Sequence, residues 1–139
     1  MLAEQVQGRA LLDGSAQGPA RVLHERLSFW GGFDPHSGTI IDVHHPQHGI
    51  SLTNAIVVMA SGRGSSSASS VLAEAIRQGT APAGFVLSEP DEILALGSIV
   101  GQELYGVAMP LLLLEPSIHG VIADGQPLAI RPGGVLDPS

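Results

Sequence analysis

The chain has 139 residues, 44% of them apolar, and its thirteen carboxylates outnumber six arginines with no lysine. The resulting net charge of −7 repels polyphosphate backbones and anionic membrane surfaces, so neither nucleic acid nor membrane is an expected partner. The lack of cysteine removes disulfides, a thiol nucleophile and thiolate ligands for zinc or an iron–sulfur cluster from this chain.

The length suits a single domain spanning 1–139. No apolar run approaches a membrane span, and Met1 to Glu4 lack the basic and apolar regions of a signal peptide, which makes the cytoplasm the expected location. Arg9 to Leu12 and Ala20 to Leu23 are apolar segments around the turn-rich stretch Asp13 to Gly18, which predicts a β-hairpin or a loop-linked strand pair. Leu27 to Trp30 runs into Gly31-Gly32. Phe33 to Gly38 makes a second turn with Pro35 and Gly38, and Thr39 to Asp42 reads as another strand. Trp30 and Phe33 read as core residues, and Asp34 and Asp42 as turn-forming or solvated. His44 to Gly49 is a loop. Pro46 interrupts the four-residue spacing of His44 and His48 that a helix would need to bring both onto one metal, so His45 reads as structural or ligand-touching.

Ala55 to Met59 predicts a short buried strand, and Ser67 to Gln78 carries apolar residues at helical spacing, with Gly79 as its stop and Pro82 beyond. Phe85 to Leu87 is a further strand. Ser88 and Asp91 together form a helix-start signature for a short helix over Asp91 to Leu96. The unbroken apolar run Met109 to Leu114 reads as a strand buried on both faces beside Phe85 to Leu87. Val121 to Ala123 and Leu128 to Ile130 flank Asp124-Gly125 as a hairpin, and the residues from Pro132 to the end are expected to be loose. The fold class is α/β: strand-rich ends around a central β-loop-α unit, with few short helices.

Between the strand and the helix lies Gly62-Arg63-Gly64-Ser65-Ser66-Ser67, followed by Ser69 and Ser70. Glycines permit a tight turn there, and the free N–H groups and dipole of a helix start make a carboxylate or phosphate the natural occupant, with Arg63 adding a full positive charge. Five serines exceed what a helix cap requires. The stretch is no Walker loop, because it lacks the Gly-Lys-Ser/Thr ending, and the Gly-x-Ser-x-Gly elbow of hydrolases is absent. No spacing singles out a Ser-His-Asp triad among the histidines and aspartates.

The string Leu27 to Asp42, then His45-Pro46, then Gly62 to Ser67 resembles the small, or swivel, subunit of aconitase X. That resemblance implies a swivelling β/β/α domain closing over a large catalytic subunit, which holds an iron–sulfur cluster and so explains the missing cysteines. Together the two form a hydro-lyase acting on a small carboxylate. The related Gly-x-Gly-Ser-Ser-Arg loop of the wider superfamily implies Ser65 as the catalytic base and Arg63, Gly64, Ser66 and Ser67 as substrate contacts. Ser67 stands where those relatives have arginine, and Arg63 compensates in part. The implied substrate is cis-3-hydroxy-L-proline, dehydrated to pyrroline-2-carboxylate, with 5-phosphomevalonate as the alternative. A non-catalytic anion-binding or regulatory module is the rival of another class. A swivelling phosphohistidine carrier is a second, and it lacks a histidine beside the glycine-rich loop.

Overall fold

A computed structural model describes residues 1–138; Ser139 lies outside them. Ten strands and four helices follow one another as β1 Val6–Gln7, β2 Arg9–Leu12, β3 Ala16–Val22, α1 Phe29–Gly32, β4 Phe33–Asp34, β5 Thr39–Ile40, β6 Ile56–Met59, α2 Ala68–Gln78, β7 Gly84–Leu87, α3 Glu92–Tyr105, β8 Leu111–Leu113, α4 Pro116–His119, β9 Pro127–Arg131 and β10 Val135–Asp137. Eight strands form one sheet in the order β1-β10-β9-β3-β6-β7-β8-β2, and β4 and β5 make a separate pair.

The sheet changes character along β3. Ala16 to Pro19 pair antiparallel with β9, whereas Ala20 to Val22 pair parallel with β6, so one strand joins an antiparallel ribbon to a parallel centre. Within that centre β6, β7 and β8 run parallel, linked by α2 and α3. Such crossovers are what parallel pairing requires.

Alternation explains why these strands are apolar throughout. Val57 and Met59 of β6, Phe85 and Leu87 of β7, and Leu111 of β8 pack with Leu72 and Ile76 of α2 and Leu94 of α3. Ile56, Val58, Val86 and Leu112 point the other way, toward Leu128 and Ile130 of β9 and Leu136 of β10. With a side-chain period of two, a strand sandwiched between layers must be apolar at every position. The result is the β/β/α layering expected from the sequence.

Several local expectations are corrected. Arg9 to Leu12 and Ala20 to Leu23 do not pair with each other: β2 joins β8 at the sheet edge, and β3 extends back through Gln17 and Gly18 to meet β9. Val121 to Ala123 is not a strand. β9 pairs instead with β10 across the turn Pro132 to Gly134, so Val135 to Asp137 are sheet rather than loose, while Ser139 lies outside the described residues. The Thr39 to Asp42 strand stops at Ile40, and Phe29 to Gly32 is a helical turn with extended backbone at Trp30. The helix expected over Asp91 to Leu96 runs on to Tyr105. Its cap is Asp91 rather than Ser88, because the Asp91 carboxylate accepts the N–H groups of Ile93 and Leu94.

Candidate active site

β6 ends at Met59, and the following chain loops over to α2 through the glycine–serine stretch. Its first arm is held on two sides. On one, Gly62 forms a single parallel bridge with Leu27, and the Arg63 N–H donates to the Leu27 carbonyl at 3.0 Å. On the other, the Gly62 N–H donates to Asp91 Oδ2 at 2.7 Å. A Cβ at Gly62 would sit 2.9 Å from that carboxylate oxygen and displace it. Gly64 then turns the chain at φ +90°, a conformation that disfavours any side chain.

Beyond the turn the serines divide their work. Ser65 Oγ accepts the Ser67 N–H at 3.2 Å, and Ser69 Oγ donates to the Ser66 carbonyl at 2.8 Å. Ser67 is the N-cap of α2, yet its own side chain makes no capping bond. The N–H groups of Gly64, Ser65 and Ser66 have no acceptor among the described residues. Three successive donors without an acceptor therefore precede an eleven-residue helix, at the positive end of its dipole.

Two of these residues, Gly64 and Ser65, line a cavity of about 310 Å³. It is lined by Arg63, Gly64 and Ser65 of the loop, by Asp91 to Leu94 at the start of α3, and by the apolar residues Leu27, Phe29 and Ala68. Of the residues expected at the site, Arg63, Gly64 and Ser65 line this cavity, whereas Ser66 and Ser67 are exposed at its margin. Arg63 has no carboxylate partner among the described residues, unlike Arg26 and Arg77. It also borders a neighbouring groove lined by His24, Arg26, Ser88 and His119.

A family model described as the aconitase X swivel domain matches residues 5–136. The chain belongs to the aconitase X swivel family. It is 48% identical to the cis-3-hydroxy-L-proline dehydratase of Pseudomonas aeruginosa over 150 residues, covering 96% of this chain and 26% of that protein. It is 37% identical to the phosphomevalonate dehydratase small subunit of Methanopyrus kandleri over 117 residues, covering 84% of this chain and 82% of that one. The crystal structure of Thermococcus kodakaraensis aconitase X in its holo-form matches with a TM-score of 0.85 at 25% identity, over 97% of this chain and 98% of the matched one. The chain thus spans about a quarter of the length of the bacterial relative and most of the archaeal small subunit.

In this aconitase X swivel domain the histidine-rich loop is structural. His45 is buried, its Nε2–H donates to the Glu25 carbonyl at 3.2 Å, and its Nδ1 accepts the Gln47 N–H at 3.1 Å. Gln47 in turn donates to the Val22 carbonyl and accepts the His24 N–H. The loop is thereby clamped onto the end of β3. Trp30, expected in the core, is 60% exposed, while its neighbour Phe29 takes the buried place against Phe33 and Phe85.

Three contacts around the cavity were not anticipated. Ser61 is buried; its hydroxyl accepts from Arg26 Nε at 3.0 Å and donates to the Gly62 carbonyl at 3.0 Å, and Arg26 pairs with Glu89 at 2.5 Å. His119 Nε2 reaches the carbonyls of Met59 and Val86, tying α4 to the ends of β6 and β7. Asp91, legible as a helix cap, also holds the serine loop; nothing local in the sequence signals that second bond, which joins residues 29 positions apart.

Among the described residues no group of three histidine, cysteine, aspartate or glutamate side chains could hold a metal, and the sequence has no cysteine. These residues do not fit an iron–sulfur cluster. Among the described residues, no helix is long and apolar enough to cross a membrane.

Proposed function

We propose that this chain is the swivel part of an aconitase X-type dehydratase that removes water from cis-3-hydroxy-L-proline, with Ser65 as the base. The observation that carries the reading is Ser65 lining a cavity beside Arg63 and three unpaired backbone donors. A serine hydroxyl is a weak base and must act as a stabilised alkoxide. The Ser67 N–H on its oxygen and the dipole of α2 both favour that anionic form.

In this reading the substrate carboxylate lies against the N–H groups of Gly64 and Ser66 and the Arg63 guanidinium, which places its α-carbon over Ser65. Ser65 Oγ removes the α-proton and becomes a neutral hydroxyl. Departure of the hydroxide belongs to the large partner chain, which is also where the iron–sulfur cluster is assigned, since this chain offers no ligands for it.

Hydroxyproline is favoured by the 48% identity to the Pseudomonas enzyme, against 37% to the Methanopyrus small subunit. A chain devoid of lysine also contributes little to holding a phosphomonoester. The test is turnover by the assembled dehydratase carrying this chain, offered cis-3-hydroxy-L-proline and 5-phosphomevalonate. Hydroxyproline should be consumed, and Ser65→Ala should assemble normally while losing about 10²- to 10⁴-fold in kcat, the usual worth of a general base. Consumption of phosphomevalonate alone reverses the substrate assignment. Near-normal kcat in Ser65→Ala refutes the base.

A further inference from the structure

We infer that Asp91 is a positioning residue for the catalytic loop, acting as a carboxylate latch between the first turn of α3 and the arm that carries Ser65. The inference rests on the proposed role of Ser65 and extends it to a residue outside the serine motif.

The geometry separates two tasks within one side chain. Oδ1 accepts the N–H groups of Ile93 and Leu94, each at 3.0 Å, which is ordinary helix capping. Oδ2 is turned away from the helix and accepts the Gly62 N–H at 2.7 Å, a short charge-assisted bond to a residue three positions before Ser65. A cap alone does not require that second bond. Gly62 also lacks any side chain at the point where a Cβ would press on Oδ2 at 2.9 Å, so the two residues fit each other.

Opposite the latch, Leu27 holds the same arm through its backbone. The arm is therefore fixed between a strand-like bridge on one side and a carboxylate on the other, and Gly64 then turns the chain at φ +90° ahead of Ser65. Asp91 and Ser65 both line the same cavity, so a shift of the latch moves the Ser65 arm within the site. Displacements of about 1 Å in such positions are enough to cost on the order of 10²-fold in rate.

Asparagine distinguishes the two tasks. Asn is as good an N-cap as Asp, so Asp91→Asn keeps an acceptor for Ile93 and Leu94 but points an NH₂ donor at the Gly62 N–H. The expected result in the assembled dehydratase is a kcat lowered at least about tenfold with KM changed less than about threefold, the pattern of lost positioning rather than lost binding. The melting temperature should fall by no more than a few degrees, and amide exchange at Gly62 should accelerate while that at Ile93 and Leu94 stays protected. Gly62→Ala strikes the latch from the other side without touching α3. If both act through one contact, the double variant should be no slower than the worse single.

A kcat within about twofold of wild type in Asp91→Asn, or single effects that multiply in the double variant, overturns the latch. If Asp91→Asn fails to fold, Gly62→Ala alone decides: unchanged kcat rejects the proposal and a tenfold loss supports it. Ser65→Ala, assayed in parallel, keeps the two ideas apart. An inactive Ser65→Ala beside a normal Asp91→Asn refutes the latch only, whereas an active Ser65→Ala refutes the base on which it depends.

Discussion

The N–H of Arg63 donates to the carbonyl of Leu27 at 3.0 Å, which fixes the backbone at residue 63 and leaves its exposed guanidinium to reach either the serine cavity or the adjoining groove. In the proposed reading that cation holds the substrate carboxylate and takes no part in the proton transfer. Arg63→Gln should therefore raise KM about 10- to 100-fold, the worth of one charge-assisted hydrogen bond, with a smaller change in kcat. Steady-state kinetics check it; a loss confined to kcat would instead assign Arg63 to the transition state.

Gly97 lies where α3 crosses α2. A Cβ there would stand 3.0 Å and 3.1 Å from Leu72 side-chain atoms and 3.1 Å from the Ser69 carbonyl. Alanine gains about 0.8–1.0 kcal/mol of helix propensity, but overpacking costs about 1–3 kcal/mol, so packing wins. Gly97→Ala should lower the urea midpoint by the equivalent of up to about 2 kcal/mol. Because Ser69 belongs to the first turn of α2, the same change should also reduce turnover.

These positions show what the sequence made legible. The strand–loop–helix unit was readable because an all-apolar strand, a glycine–serine turn and an amphipathic helix each carry their own local pattern, as Ile56 to Met59 and Ala68 to Gln78 do. The length of α3 was less legible. The expected helix ends at Leu96, whereas α3 continues through Gly97 and Gly101, which are buried where they pack against Leu72 and Ile76, contacts that only the assembled fold supplies. The hairpin assignments failed for a different reason. Asp124-Gly125 is a real turn, but it serves β3: the Gly125 N–H donates to the Ala20 carbonyl and Asp124 Oδ1 accepts the Val22 N–H. Turn chemistry is local, and the choice of strand partner is made by the whole sheet. The serine loop itself was visible from its residues, whereas its fastening through Asp91 and Leu27 depends on segments about 30 positions away on either side.

His45 uses both ring nitrogens on backbone groups and is 6% exposed. His45→Ala would leave the Glu25 carbonyl and the Gln47 N–H without that partner in a poorly hydrated place, at a cost of about 1–3 kcal/mol. The expected outcome is a lowered denaturation midpoint together with faster amide exchange at His24 and Gln47, whose bonds depend on the same clamp. If stability and exchange are both unchanged, the loop is held by Gln47 alone.

Trp30 is the single tryptophan of the chain and lies 60% exposed beside the serine loop. The Ser28 hydroxyl donates to the Trp30 carbonyl at 2.9 Å, and a Cβ on Gly64 would stand 3.6 Å from that same hydroxyl oxygen. Ile41, 45% exposed, is tied to the same turn by its N–H to the Gly32 carbonyl at 2.8 Å, so two large apolar residues of this turn are uncovered. If the large dehydratase chain closes over Ser65, it must cover this rim, and a buried tryptophan at such a rim is a typical hot spot. Adding the partner should shift Trp30 emission to shorter wavelength, read against a partner-only baseline and against Trp30→Phe. Trp30→Ala should weaken assembly by at least about 30-fold in Kd, corresponding to about 2 kcal/mol, while the isolated chain melts as before because the side chain supports little of the core. An active complex in which Trp30 emission is unmoved would place the partner on another face of the domain.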